Sequence, residues 1–128
     1  MKTKKKIIAS VCLLVSLLML GTTAFAGVRS ESFGQGGSIA TARISAKNAF
    51  VEAYTMPSTS YNTISVQTRA LYEKYVGNTH EYCATSWDYG QYYSGGVYAV
   101  VDAPTLSYAG ESNHSIDGFT KYLYCSYG

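Results

Sequence analysis

Between Ile39 and Thr55 the sequence alternates with a period of two on both sides of Lys47-Asn48. Ala40, Ala42, Ile44 and Ala46 alternate with Thr41, Arg43 and Ser45. Beyond the break, Ala49, Val51 and Ala53 alternate with Phe50, Glu52 and Tyr54. Two such runs separated by two residues predict a β-hairpin. With the turn at Lys47-Asn48, the facing pairs are Ala46–Ala49, Ile44–Val51 and Ala42–Ala53, so the small apolar residues share one face. The same register sets Arg43 opposite Glu52 on the outer face, a favourable cross-strand pair. An alanine-lined face leaves space above it, and close packing must fill that space from a facing sheet. The chain's stock of bulk is aromatic, with 13 Tyr and one Trp, so these residues are expected over the alanines.

The rest of the chain repeats the strand signal. Met56–Asn62 reads as a loop. Thr63–Tyr75 reads as a long strand with Ile64, Val66, Thr68, Ala70 and Tyr72 on one face and Ser65, Gln67, Arg69 and Glu73 on the other. After a turn at Gly77-Asn78, His80–Trp87 is the next strand, with Glu81, Cys83, Thr85 and Trp87 on one side. Asp88–Gly96 is an aromatic loop and Val97–Asp102 a short strand. Thr105–Tyr108 is a further candidate strand, and the polar run Ala109–Gly118 reads mainly as loop. Phe119–Tyr127 closes the chain as a strand, with Phe119, Leu123 and Cys125 on one face and Tyr122 and Tyr124 on the other. Strands at this spacing, with no helical pattern after residue 26, predict an all-β fold. It is a small antiparallel β-sandwich with one disulfide, the alternative being a small closed β-barrel.

Residues 1–26 read as a secretory signal peptide. Lys2, Lys4, Lys5 and Lys6 form a basic start, Ile7–Leu20 is mostly apolar, and Ala24-Phe25-Ala26 matches the small-x-small cleavage rule, with the cut after Ala26. The apolar run is short for a membrane span, and no second one follows. The expected location is therefore extracellular, by Sec-type secretion, with residues 27–38 (GVRSESFGQGGS) as a flexible N-terminal arm and 39–128 as a single β domain. The whole chain carries ten Lys and Arg against eight Asp and Glu, a net charge of +2. Four of those lysines leave with the signal, so the remainder carries six against eight, a net −2. That balance removes the argument for a nucleic-acid partner, which needs clustered cations. Cys83 and Cys125 remain after cleavage. In an exported chain such a pair reads as a disulfide, closing a loop of about 42 residues and stabilising by about 4 kcal/mol in the chain-entropy picture.

The candidate ligand-binding residues are Trp87, Asp88, Tyr89, Gln91, Tyr92 and Tyr93. Flat aromatic rings stack on sugar faces or apolar partner surfaces, while Asp and Gln supply directional hydrogen bonds. The competing reading places Trp87 and some of these tyrosines in the core. His80 and His114 match no metal-ligand spacing. Ser112, His114, Ser115 and Asp117 hold the residue types of a hydrolase triad, but within one polar loop and without a nucleophile elbow. No catalytic residue, metal site or cofactor is therefore assigned.

An export signal followed by a compact Tyr-, Ser- and Gly-rich β chain without enzyme motifs resembles small secreted proteins of Gram-positive bacteria, lactococcin-type β-sandwich bacteriocins among them. The expectation is a secreted, non-catalytic protein acting by surface binding to a glycan, a cell-wall component or a protein. The alternative, which the resemblance implies, is a bacteriocin-like toxin acting on neighbouring cell envelopes.

Overall fold

The alternating stretch forms the expected hairpin, β3 (Ser38–Ala46) and β4 (Phe50–Pro57). Its pairing centre lies one residue later than Lys47-Asn48, because Lys47 N–H donates to the Phe50 carbonyl at 2.9 Å. Moving the centre by one residue moves the register by two. Ala46 now faces Val51 and Ile44 faces Ala53. A two-residue shift keeps every side chain on its face, so Ala42, Ile44, Ala46 and Val51 still meet in one core cluster. The shift separates the expected outer pair. Arg43 lies opposite Tyr54 and Glu52 opposite Ser45, and all four are buried rather than solvent-facing.

The structure is a computed structural model that describes residues 23–25, 27–47 and 49–127. Nearly all of the stretch read as a signal peptide lies outside them; Thr23–Phe25 forms a short strand, β1. The stretch read as a flexible arm is instead strand β2 (Val28–Gln35), paired with β3 along its whole length. Its glycines serve the tight β2–β3 turn rather than flexibility. Gly34 has φ 107°, and a Cβ there would lie 2.0 Å from the Ser38 carbonyl oxygen.

The chain continues through β5 (Ile64–Val76), β6 (Thr79–Ala84), β7 (Asp88–Tyr89), β8 (Gln91–Tyr93), β9 (Gly96–Asp102), β10 (Ser107–Ile116) and β11 (Phe119–Ser126). Among the described residues there is no helix. Two antiparallel sheets result, in the orders β1-β2-β3-β4-β9-β8 and β11-β10-β5-β6, with β7 also paired to β5. One of the two forms half a barrel. On one side the sheets meet through β2 and β11, where Lys121 reaches Glu31 at 3.3 Å and Gly27 N–H donates to the Ser126 carbonyl at 2.9 Å. On the other, the chain crosses from β7 to β8 at Gly90, whose N–H donates to the Val66 carbonyl at 2.7 Å.

The alanine face is closed mainly by small residues, with Phe33 and Tyr127 the aromatics packed against that cluster and Trp87 not among them. The residues opposite it are Ala70, Leu123 and Cys125, and Gly110 of β10 sits so close to Val51 that a Cβ there would lie 2.5 Å from a Val51 methyl. The sheets solve the packing problem by approaching each other, small residue on small residue.

Ala109–Gly118, expected as loop, is mostly the central strand β10. Its polar residues alternate in role. Ser112, His114 and Ile116 point into the core, while Asn113 and Ser115 are half-exposed on the other face. The strand ends at Asp117-Gly118, both with positive φ (45° and 87°), the two-residue turn that suits the right-handed twist of a hairpin.

Cys83 and Cys125 are free thiols, which corrects the expected disulfide. Cys125 lies on β11 and Cys83 on β6, at opposite edges of one sheet with β10 and β5 between them. Three strand spacings amount to about 14 Å, roughly twice the reach of a disulfide between Cα atoms.

Candidate functional site

Trp87 reaches its place through a one-residue slip along β5. Leu71 pairs with Ala84 of β6, whereas Gln67 pairs with Tyr89 of β7. One extra residue lies between the two segments and exchanges their faces. Thr85 makes the exit: its Oγ1 accepts the Ala70 N–H at 3.0 Å, and its own N–H donates to the Ala70 carbonyl at 3.0 Å. Trp87 therefore leaves the face it was expected to share with Cys83. It lies half-buried on the outside of the second sheet, its ring centroid 4.4 Å from the Arg69 guanidinium carbon. The reading that put Trp87 in the core is overturned.

Asp88 turns the other way. It pairs with the core residue Thr68, and its Oδ2 accepts the Val100 N–H at 3.0 Å. That N–H belongs to β9, beyond the point where β8 has ended, so the carboxylate bridges the two sheets. Tyr89 points outward again and is 72% exposed.

The remaining candidates sit on the first sheet. Gln91, Tyr92 and Tyr93 pair with Tyr98, Val97 and Gly96 across a turn whose central residues, Ser94 and Gly95, both have positive φ. Tyr92 is exposed. Tyr93 is half-buried, with its ring 5.2 Å from Tyr98 in an edge-on contact, and its carbonyl accepts the Tyr54 hydroxyl at 2.9 Å. The six candidates thus do not converge. Trp87 and Tyr89 belong to the outer face of the second sheet, the exposed Asp88 to the gap that its carboxylate bridges toward β9, and Gln91–Tyr93 to the edge of the first sheet.

The outer face of the second sheet brings other residues together. Tyr89, Gln67, Asn113 and Tyr122 lie in one cross-strand row over β7, β5, β10 and β11. Ser65, Ser115 and Thr120 form the row beside it, and the Ser65 and Ser115 hydroxyls are hydrogen-bonded to each other. Together with Tyr89 these side chains line an open cleft of about 470 Å³. At its flank, Glu111 accepts from Arg69 Nε through one carboxylate oxygen and from the Tyr122 hydroxyl through the other. Burial pushes the Tyr122 phenol up to about 12, and the Glu111 carboxylate adds to the shift by hydrogen bond and by charge. Farther along the face, His80 stacks on Tyr75 at 5.0 Å, lies 4.9 Å from Tyr82, and reaches Glu73 at 3.0 Å. Tyr108, at the β10 bulge, meets Tyr82 edge-on at 5.9 Å.

Gln67, Asn113 and Thr120 were not singled out as site residues from the sequence, and Ser115 only among the hydrolase-type residues. Alternation did place Ser65, Gln67 and Arg69 on one face of their strand. Their partners lay in the polar run read as loop, so the row itself was not visible.

The hydrolase-type cluster takes another form. Ser112 Oγ lies 2.7 Å from His114 Nε2, but the other ring nitrogen meets Thr55 Oγ1 at 2.8 Å, not an acid. Asp117 is occupied elsewhere, accepting from Asn62 N–H, Thr63 N–H and Ser38 Oγ. Those hydrogen bonds hold its carboxyl below the usual carboxylate range. Ser112 and His114 are buried, and although His114 adds to the wall of the cleft, both its ring nitrogens are bound to Thr55 and Ser112. Burial drives the His114 imidazole down to about 3, against the opposing pull of the Tyr54 backbone hydrogen bond. The ring is neutral at physiological pH. Among the described residues no three His, Cys, Asp or Glu side chains converge as a metal site would require. In comparisons with protein-family models, curated proteins and solved structures, the chain matches none.

Proposed function

We propose that this is a secreted, non-catalytic β protein that acts by binding a glycan or cell-wall surface through the outer face of its second sheet. One observation carries the reading: the cross-strand row Tyr89–Gln67–Asn113–Tyr122, with an exposed ring at each end and amides between, beside an open cleft. Rings offer flat apolar area at low entropic cost, and amides both donate and accept, which is the pairing of functions that recognition surfaces use. The row stands on four hydrogen-bonded strands, so its spacing is set before a partner arrives. Asp88 and Gly90 anchor Tyr89 from beneath.

The test is co-sedimentation with purified insoluble cell walls. The parent protein is expected in the pellet. Tyr89→Ala is expected in the supernatant with its unfolding midpoint within about 0.5 kcal/mol of the parent, as for other exposed positions. A parent that stays in the supernatant, or a Tyr89→Ala protein that pellets as well as the parent, rejects the reading.

A further inference from the structure

Apart from the buried Val66 and His114, six side chains line the cleft: Ser65, Gln67, Tyr89, Asn113, Ser115 and Thr120. Three are hydroxyls of Ser or Thr, two are amides and one is a phenol. None carries a charge at neutral pH. The ionic groups nearby are turned to one another. Arg69 is held by Glu111 and covered by Trp87, while Lys121, adjacent to Thr120 in sequence, reaches through the edge of the sheet to Glu31. His114 contributes to the cleft wall, but both its ring nitrogens are bound inside the core. A cleft of about 470 Å³ lies within the roughly 300–1,000 Å³ range of small-ligand sites.

From this we infer that the cleft takes an uncharged pyranose saccharide, with a sugar face laid against the Tyr89 ring and its hydroxyls hydrogen-bonded to Gln67, Asn113 and Ser115. The inference rests on the surface-binding reading above and narrows it to one ligand class. A sugar hydroxyl is at once donor and acceptor, and so is every Ser, Thr, Asn and Gln side chain in the cleft, so the pairing leaves no polar atom with an unsuitable partner. An anionic ligand would meet only neutral groups and would lose its hydration without a compensating charge. A cationic ligand would find one aromatic ring and no carboxylate that is not already bound to Arg69 and Tyr122. A protein partner would be expected to seek a larger apolar centre than one tyrosine supplies. The two tyrosines of the row stand three strand spacings apart, about 14 Å, a length that suits an oligosaccharide better than a single sugar.

The experiment is titration calorimetry of the full chain with three probes: cellotetraose, chitotetraose and the anionic trimer of galacturonate. At least one neutral oligosaccharide is expected to bind, with an affinity that changes less than about twofold between about 0.05 and 0.5 M salt, since no ion pair is formed to be screened. Gln67→Ala and Asn113→Ala are each expected to weaken that binding by about tenfold, the loss of one or two hydrogen bonds. Ser107→Ala, away from the cleft, is expected to leave it unchanged, and unfolding midpoints of the three variants report whether any has lost its fold. Binding of the galacturonate alone, binding that falls steeply with salt, or neutral binding indifferent to both Gln67→Ala and Asn113→Ala overturns the inference. If the protein pellets with cell walls in a Tyr89-dependent way and yet binds neither neutral oligosaccharide, the ligand class is wrong and the surface-binding reading survives. If it does neither, both fall.

Discussion

Thr55 of the first sheet and His114 of the second lie 2.8 Å apart, hydroxyl oxygen to Nδ1, in the space between the sheets. The Thr55 hydroxyl has a single proton, and it donates that proton to the Ser65 carbonyl at 3.0 Å. Nδ1 must then carry the hydrogen and donate to Thr55, leaving Nε2 to accept from the Ser112 hydroxyl at 2.7 Å. The imidazole is thus neutral, in one tautomer, with both nitrogens satisfied. That is how a core tolerates a histidine.

This arrangement predicts a pH dependence of stability. His114 has a folded-state pKa lowered by burial from 6.5 to about 3, so its stabilising contribution is complete above 6.5 and is lost as pH falls toward 3. In that window the unfolded chain binds the extra proton, and stability declines by up to about 1.4 kcal/mol per pH unit. Glu52 works in the opposite sense. Its pKa is raised by burial from 4.5 to about 7, with Lys47 and Arg43 pulling it back, so it favours the folded state less as pH rises from 4.5 to 7. The two are separated by comparing the parent with His114→Asn. Asn keeps polar atoms in the space and does not titrate. The variant is expected to be about 1–3 kcal/mol less stable at pH 8 from poorer hydrogen bonding, with the gap closing toward pH 4. Urea unfolding at four pH values checks it; a constant gap would contradict the neutral, buried imidazole.

Gly110 and Val51 set the distance between the sheets. A Cβ on Gly110 would lie 2.5 and 3.0 Å from the two Val51 methyls, so Gly110→Ala is expected to cost about 1–3 kcal/mol by overpacking. Val51→Ala alone should cost about as much by leaving a void. The double variant is expected to be more stable than the sum of the two losses by at least about 1 kcal/mol, since the new methyl occupies the vacated space. Strict additivity in denaturant unfolding would show that the two residues do not share that volume.

The thiols are expected to behave independently. In a Cys12→Ser background, Cys83 is half-exposed and should react with a disulfide reagent at once. Cys125 is buried, with its thiol pushed up by that burial, and should react only on unfolding, because the thiolate is the reactive form. Reductant should leave the thermal midpoint unchanged. A Cys83–Cys125 cross-linked peptide in a non-reducing digest would refute the sheet order.

Tyr122 is predicted to titrate late. Its hydroxyl donates to Glu111, and its pKa is raised to about 12, with burial the largest cause. Of the proton losses seen by ultraviolet absorbance, one should lie above pH 11 and should vanish in Tyr122→Phe. The bond stabilises the fold below pH 10, the ordinary value, and that stability is lost as pH rises through 12. Glu111→Gln should bring the late titration back toward 10. A late phase that persists in Tyr122→Phe would assign it to another residue.

The strands themselves were largely legible. Alternation alone gave the β3–β4 hairpin, the inward face of β5 at Ile64, Val66, Thr68 and Ala70, and the outward Tyr122 and Tyr124 of β11. It worked there because one face of each strand is apolar and the period of two has a visible contrast. It failed at β10, where Ser112 and His114 face inward. Polar residues sit in that core only because Thr55, from a distant strand, completes their hydrogen bonds, and no local pattern records a partner 59 residues away. The same limit hid the row beside Tyr89, whose Asn113 stands on β10.

The chain's own pattern was thus enough to determine an all-β fold and, for most strands, which residues turn inward. Tertiary structure decided three things that period-two patterning cannot carry. Sheet order placed Cys83 and Cys125 at opposite edges and left both thiols free. The spacing between the sheets closed small residues onto the alanine face, leaving Phe33 and Tyr127 as the aromatics packed against it. And a slip of one residue between β6 and β7 sent Trp87 outward to Arg69 and Tyr89 to the rim of the cleft. A one-residue slip exchanges the faces of a strand at little local energetic cost, so it is settled by what the neighbouring strands offer on each side.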